Sequence, residues 1–126
     1  MSEHAKRQPT EPSKAHPITV EPTGRRVTVT VNGEVVAQTD AALTLRESTY
    51  PAVQYVPLAD VSPDALQPSD TTTYCPYKGE ASYYDVVVGG ETVADAMWTY
   101  GEPYPAVGAI GGHVAFYPDK ADVAVA

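Results

Sequence analysis

A thiol and an ammonium group stand three residues apart in the middle of the chain. Cys75 is the only cysteine among 126 residues, and Lys78 follows it through Pro76 and Tyr77. Pro76 fixes its own φ and Gly79 permits the backbone to turn back, so this spacing predicts a short, stiff turn. A cation held beside a thiol favours the nucleophilic thiolate. Cys75 is therefore a candidate nucleophile or redox thiol activated by Lys78, and a small buried hydrophobe is the other interpretation.

Other catalytic and metal-binding arrangements have weaker support. A single cysteine rules out an internal disulfide framework and a cysteine-based zinc site built by this chain alone. His113 could serve Cys75 as a base, although nothing in the sequence brings the two together. The glycines of residues 108–112 lack the Lys-Ser/Thr ending of a phosphate loop, so they predict a hairpin turn. We predict no metal and no cofactor.

The composition narrows the class of partner. The chain holds 16 acidic and 8 basic residues, which give a formal net charge of -8. The only basic clusters are Lys6-Arg7 and Arg25-Arg26, too few to neutralise a phosphate backbone. No apolar run reaches the length of a membrane span, and the amino terminus lacks the hydrophobic segment of a secretory signal. These features predict a cytoplasmic protein that binds neither nucleic acid nor membrane.

The first residues differ from the rest in composition. Residues 1–17 are polar, charged and proline-rich, which predicts a disordered tail before a single domain of residues 18–126. His4 and His16 fall in that tail, outside any preformed site. From Val27 the chain alternates strictly, and Asn32-Gly33 predicts a two-residue hairpin turn that places Val29 opposite Val36.

Several further strands and one helical turn complete the predicted elements. Leu43 and Leu45 lie on one face of a strand, with Arg46 on the other face. Ser62 and Pro63 suit the start of one short helical turn over residues 62–67. Gly89-Gly90 predicts a hairpin in which Ala81 lies opposite Trp98, and residues 106–110 and 113–117 predict a third hairpin. Such strands and turns indicate an all-β domain of two antiparallel sheets packed face to face or a partly closed barrel.

With these residues laid out, the chain resembles the domain of unknown function 427 family over about residues 17 to 126. The matching pieces include Asn32-Gly33, Ala42-Leu43, Tyr50-Pro51, Cys75-Pro76-Tyr77-Lys78-Gly79, Trp98 with Tyr100, and Val114-Ala115-Phe116-Tyr117. The resemblance implies a β-tent fold, in which two antiparallel sheets meet at a steep angle. Relatives of that fold carry zinc on paired Cys-x-x-Cys motifs, which this chain lacks, so zinc does not carry over. A redox cycle would also lack its resolving cysteine.

The aromatic residues suggest what the domain does. Nine tyrosines accompany a single phenylalanine, and buried phenols need polar partners, so the rings are expected at partly wet boundaries. Our leading hypothesis is a small-molecule binding module with a pocket between the sheets and Cys75 beside it. The predicted lining residues are Arg46, Glu47, Tyr55, Lys78, Trp98 and Tyr100. Arg46 and Lys78 would orient an anionic or polar group while the rings stack on its body.

Two other hypotheses stay open beside that one. The first is an enzyme that uses Cys75 as nucleophile or redox thiol. The second is a structural or interaction protein whose tyrosine-rich edges pair with a partner or with a second copy as a homodimer.

Overall fold

The structure is a computed structural model that describes residues 8–126. Expectations for residues 1–7, which include His4 and Lys6-Arg7, lie outside the described residues. Ten strands make up most of the chain. They are β1 (Ile18–Pro22), β2 (Val27–Val31), β3 (Glu34–Thr39), β4 (Leu43–Glu47), β5 (Val53–Pro57), β6 (Leu66–Cys75), β7 (Gly79–Val88), β8 (Glu91–Tyr100), β9 (His113–Phe116) and β10 (Asp122–Val125).

The strands form two antiparallel sheets, which confirms the all-β fold class. The larger sheet has seven strands in the order β1-β4-β5-β9-β8-β7-β6, and the smaller has three in the order β10-β2-β3. Short 3-10 turns lie at Leu58–Asp60, Pro63–Ala65 and Pro105–Ile110. Among the described residues, none of the helical segments has the length and apolar character needed to cross a membrane.

The large sheet buries both of its faces. One face packs against the valines of β2, including Val27 and Val29, through residues such as Met97 and Val114. The other face carries a second cluster of buried residues: Leu45, Tyr55, Ala81, Tyr83, Tyr100, Val107, Ile110 and Ala115. Because successive strand residues point to opposite faces, neighbours such as Met97 and Trp98 contribute to different clusters.

β-Bulges in β3 and β8 shift the registers that turn residues alone predict. Asn32-Gly33 makes the expected turn, with Val31 opposite Glu34, but Val29 pairs with Ala37 because Val36 is an extra residue on β3. Both Val36 and Ala37 are consequently buried. The predicted pairing of Val29 with Val36 is therefore wrong by one residue.

The second bulge lies in β8. Val86 pairs with Val93 as the Gly89-Gly90 turn predicts, but three β8 residues oppose Asp85 before pairing resumes. Asp95, at the centre of this bulge, has a φ of 49° and its N–H donates to Asp85 Oδ1 at 2.8 Å. As a result Trp98 pairs with Tyr83, and the predicted pairing of Ala81 with Trp98 is wrong.

The helical turns also depart from expectation. Ser62 and Pro63 do start a turn, but it is a 3-10 turn of three residues, and the Ser62 side chain makes no capping hydrogen bond. The predicted strand at residues 106–110 is wrong, since Pro105–Ile110 is helical. Its apolar residues Val107 and Ile110, three positions apart, fill the second cluster from one side. That segment supports the face of the large sheet on which the candidate site lies.

Candidate functional site

The site is organised around a buried ion pair. Lys78 Nζ donates to Glu47 Oε1 at 2.5 Å, and the two side chains are only 9% and 14% exposed. Glu47 ends β4 on the same face as buried Leu45. Lys78 lies in the turn between β6 and β7, where Gly79 has a φ of 110°. This left-handed conformation suits glycine and lets the turn reverse directly after the lysine.

A histidine completes the polar group. His16 Nε2 donates to Glu47 Oε2 at 2.7 Å, and its ring stacks on Tyr77 with the centroids 4.2 Å apart. Burial raises the pKa of the Glu47 carboxyl, but hydrogen bonds from Lys78 and His16 outweigh it and hold the pKa below its usual value. The expectation that His16 lies outside any preformed site is corrected by these contacts.

Beside the ion pair lies a cavity of about 260 Å³. It is lined by Leu45, Glu47, Tyr50, Pro51, Val53, Tyr55, Lys78, Tyr83, Trp98, Tyr100 and Tyr117. The buried hydrophobic members of this set belong to the second cluster, on the face of the large sheet turned away from the small sheet. The prediction of a pocket between the sheets is therefore wrong, because the alternation of strand residues directs these side chains to the opposite face.

The aromatic wall of the cavity is held by hydrogen bonds between side chains. Trp98 Nε1 donates to the Tyr55 hydroxyl at 3.2 Å, and the Trp98 and Tyr117 ring centroids lie 4.5 Å apart. The Tyr83 hydroxyl bonds to Thr73 Oγ1 at 2.9 Å and to the Tyr117 hydroxyl at 3.1 Å. Such partners fix ring positions, so the wall is preorganised.

Two phenols of the cavity are buried. Tyr55 is 1% exposed and Tyr100 is 7% exposed. Burial, followed by smaller effects of neighbouring groups that include Glu47, raises the pKa of both hydroxyls far above the usual value, although the bond from Trp98 works against this at Tyr55. Both side chains are therefore neutral hydrogen-bond donors at physiological pH.

The structure brings together five of the six predicted ligand-binding residues. Glu47, Tyr55, Lys78, Trp98 and Tyr100 all line the cavity. Arg46 does not join them, because it follows Leu45 on the strand and is exposed on the other face.

The thiol lies next to the cavity lining. Cys75 Sγ is 3.5 Å from Lys78 Nζ, and the residue is partly exposed. The same ammonium group makes its much shorter contact with the Glu47 carboxylate. Within residues 8–126 no hydrogen bond joins His113 to Cys75, and the His113 Nδ1 bonds to Gly111 O at 2.9 Å.

Sequence reasoning missed part of the lining. Tyr50 and Pro51 come from the β4–β5 turn, Tyr83 comes from β7, and Tyr117 directly follows β9. The tyrosine-rich composition was the available signal, but it did not indicate which rings face the cavity. Across residues 8–126 there is no cluster of three or more His, Cys, Asp or Glu side chains that could hold a metal ion.

The family model described as "Domain of unknown function (DUF427)" matches residues 19–126, and the chain belongs to that family. A search of curated proteins found no match to the chain.

Proposed function

We propose that the protein binds a small molecule in the cavity beside the Lys78–Glu47 ion pair. The observation that carries the proposal is that one concave space of about 260 Å³ joins that buried ion pair to a preorganised aromatic wall. Ligand sites typically combine a mostly apolar lining with a few convergent polar groups. The composition adds the expectation of a cytoplasmic setting with neither nucleic acid nor membrane as partner.

A thermal-shift screen against a metabolite library tests the proposal. Compounds that bind only the folded state raise the unfolding temperature, by an amount that grows with the ratio of ligand concentration to Kd. True site ligands should lose most of this shift in Trp98→Ala, which removes part of the wall, and keep it in Arg46→Ala, which changes a residue on the opposite face. Hits that respond equally to both substitutions, or a screen without hits, would count against the proposal.

The contact between Cys75 and Lys78 favours a second candidate, an enzyme with a thiolate nucleophile. Sγ lies 3.5 Å from the ammonium nitrogen, close enough for the cation to stabilise a thiolate. However, the carboxylate of Glu47 compensates the same charge at shorter range. The binding proposal therefore stands first, and it expects Cys75→Ser to retain ligand binding.

Alkylation kinetics separate the two candidates. An activated thiol should react with iodoacetamide at neutral pH faster than a free thiol of pKa near 8.5, and should slow in Lys78→Met. A wild-type rate no faster than that of a free cysteine would rule out the enzyme and leave the binding proposal unaffected.

A further inference from the structure

The cavity contains buried hydrogen-bond donors that have no acceptor among the residues that the structure describes. Tyr100 is 7% exposed, and its hydroxyl makes no hydrogen bond to any part of the chain that the structure describes. Tyr55 is 1% exposed and accepts from Trp98 Nε1, which leaves its own O–H without an acceptor among residues 8–126. Buried polar groups in native proteins are nearly always paired, so two such donors around one cavity point to a ligand that accepts hydrogen bonds.

Lys78 adds a third donor to the same space. Its ammonium group carries three N–H donors, of which one goes to Glu47 and one to Cys75 Sγ. Both oxygens of the Glu47 carboxylate already accept, from Lys78 and from His16. The polar groups that the cavity offers to a ligand are thus mainly donors.

The charges around the cavity select a neutral ligand over an ionic one. Lys78 and Glu47 cancel each other as an ion pair. An added anion would be desolvated beside the Glu47 carboxylate, and an added cation would be desolvated beside the Lys78 ammonium. Burial, with a smaller effect of the same carboxylate, disfavours negative charge on the phenols, so they remain protonated donors.

We infer that the cavity takes a neutral, ring-shaped molecule whose carbonyl oxygen accepts hydrogen bonds from Tyr55 and Tyr100. This inference rests on the proposed function and names its ligand class. A carbonyl oxygen has two lone pairs and can accept from both hydroxyls. The rings of Trp98 and Tyr117, tilted against each other with centroids 4.5 Å apart, supply apolar surface for the body of the ligand.

Four monosubstituted benzenes of similar size test the inference: acetophenone as neutral acceptor, benzoate as anion, benzylamine as cation and toluene without a polar group. Trp98 is the only tryptophan, so its indole N–H resonance reports on the cavity in NMR titrations. We expect acetophenone to bind most tightly of the four. Tyr100→Phe should weaken acetophenone by about tenfold, the value of one good hydrogen bond, and leave toluene unchanged.

The outcomes separate this inference from the proposed function. If benzoate or benzylamine binds more tightly than acetophenone, or toluene binds equally well, the ligand class is wrong while a binding cavity remains. If no probe shifts the Trp98 resonance, the inference and the proposed function are both contradicted.

Stability measurements on the free protein provide a second test that does not depend on any probe. Removal of a buried hydroxyl that lacks an acceptor should raise the midpoint of thermal unfolding of Tyr100→Phe above that of the wild type. A lowered midpoint would mean that the hydroxyl has a partner in the free protein, and would overturn the inference.

Discussion

Lys78 Nζ and Glu47 Oε1 lie 2.5 Å apart although 31 positions separate the two residues in the chain. Their contact ties the turn after β6 to the end of β4, and both side chains line the cavity. His16 bonds to the other Glu47 oxygen from a segment that precedes the first strand. One carboxylate therefore fixes the position of two segments that are distant in sequence, and the predictions below test what that arrangement contributes.

Loss of the lysine should destabilise the fold. Lys78→Met keeps the length of the side chain but leaves the Glu47 carboxylate, which is 14% exposed, with only His16 as partner. An uncompensated buried charge typically costs about 3 kcal/mol, and we expect a loss of that size in the free energy of unfolding, measured with urea. The double substitution Lys78→Met with Glu47→Leu should recover most of it.

Arg26→Met provides the matched control for that prediction. Arg26 forms an ion pair with Asp40 at 2.8 Å, but the two side chains are 55% and 66% exposed. Exposed pairs are screened by solvent and contribute little. If Arg26→Met destabilises the protein as much as Lys78→Met, burial of the Lys78–Glu47 pair is not what makes it important.

The contribution of Glu47 should depend on pH. Burial raises the pKa of Glu47, but hydrogen bonds from Lys78 and His16 lower it by more. The net pKa lies below the ordinary 4.5. A group with a depressed folded pKa adds stability that is present above the unfolded pKa and lost as pH falls through the folded one. The difference in unfolding free energy between wild type and Glu47→Gln should therefore shrink below about pH 4.5.

Asp40 and Asp95 also have lowered pKa values, through hydrogen bonds from Arg26 and from Ser69 and Thr71 respectively. Both are present in wild type and in Glu47→Gln, so their effects cancel in the difference. A difference that stays constant from about pH 7 to about pH 3 would contradict the assignment of Glu47.

The turn that presents Lys78 should depend on Gly79. A side chain there would adopt a φ of 110° and place its Cβ 3.4 Å from Glu102 O. Strain of this kind costs about 1–3 kcal/mol, so Gly79→Ala should lower stability by that amount in urea unfolding. Gly108→Ala is the control, since its Cβ would have nothing within 4 Å and its φ is ordinary. If Gly79→Ala and Gly108→Ala lower the free energy of unfolding equally, the conformation of Gly79 is not what the turn depends on.

His16 should hold the segment before β1 against the domain. His16 contacts Glu47 and Tyr77. The same segment is also joined to the turn between β6 and β7 by a 2.9 Å hydrogen bond from Thr10 N to Pro76 O. His16→Ala removes the side-chain contacts and should accelerate tryptic cleavage after Lys14. Mass spectrometry measures the rate of that cleavage. His113→Ala, which removes a ring that bonds to Gly111 O, should leave the rate unchanged. No change in His16→Ala would contradict the attachment.

Much of the fold can be predicted from short-range signals. Asn32-Gly33, Gly89-Gly90 and Gly79 carry the positive φ values that their turns require, so the hairpins follow from residue type. The bulge at Asp95 carries no such marker, because its φ of 49° is accompanied by hydrogen bonds to Asp85, Ser69 and Thr71 on neighbouring strands. Register beyond a bulge therefore depends on contacts that a single sequence does not reveal.

The candidate site likewise contains residues whose role can be predicted from the sequence and residues whose role cannot. Arg46 could have been excluded from the sequence, since strict alternation after Leu45 places it on the opposite face. Pro105 with Val107 and Ile110 also carried a helical spacing that the strand prediction overlooked. His16, by contrast, lies in a polar, proline-rich stretch, and only the three-dimensional position of Glu47 and Tyr77 gives it a role.

The crystal structure of the protein with the strongest screening hit tests the binding proposal most directly. We predict that the ligand lies in the cavity, in contact with Trp98 and within hydrogen-bond distance of Tyr100 or Lys78. The account would be contradicted by a ligand that binds elsewhere on the protein while the side chains around the Lys78–Glu47 pair pack together and leave no cavity.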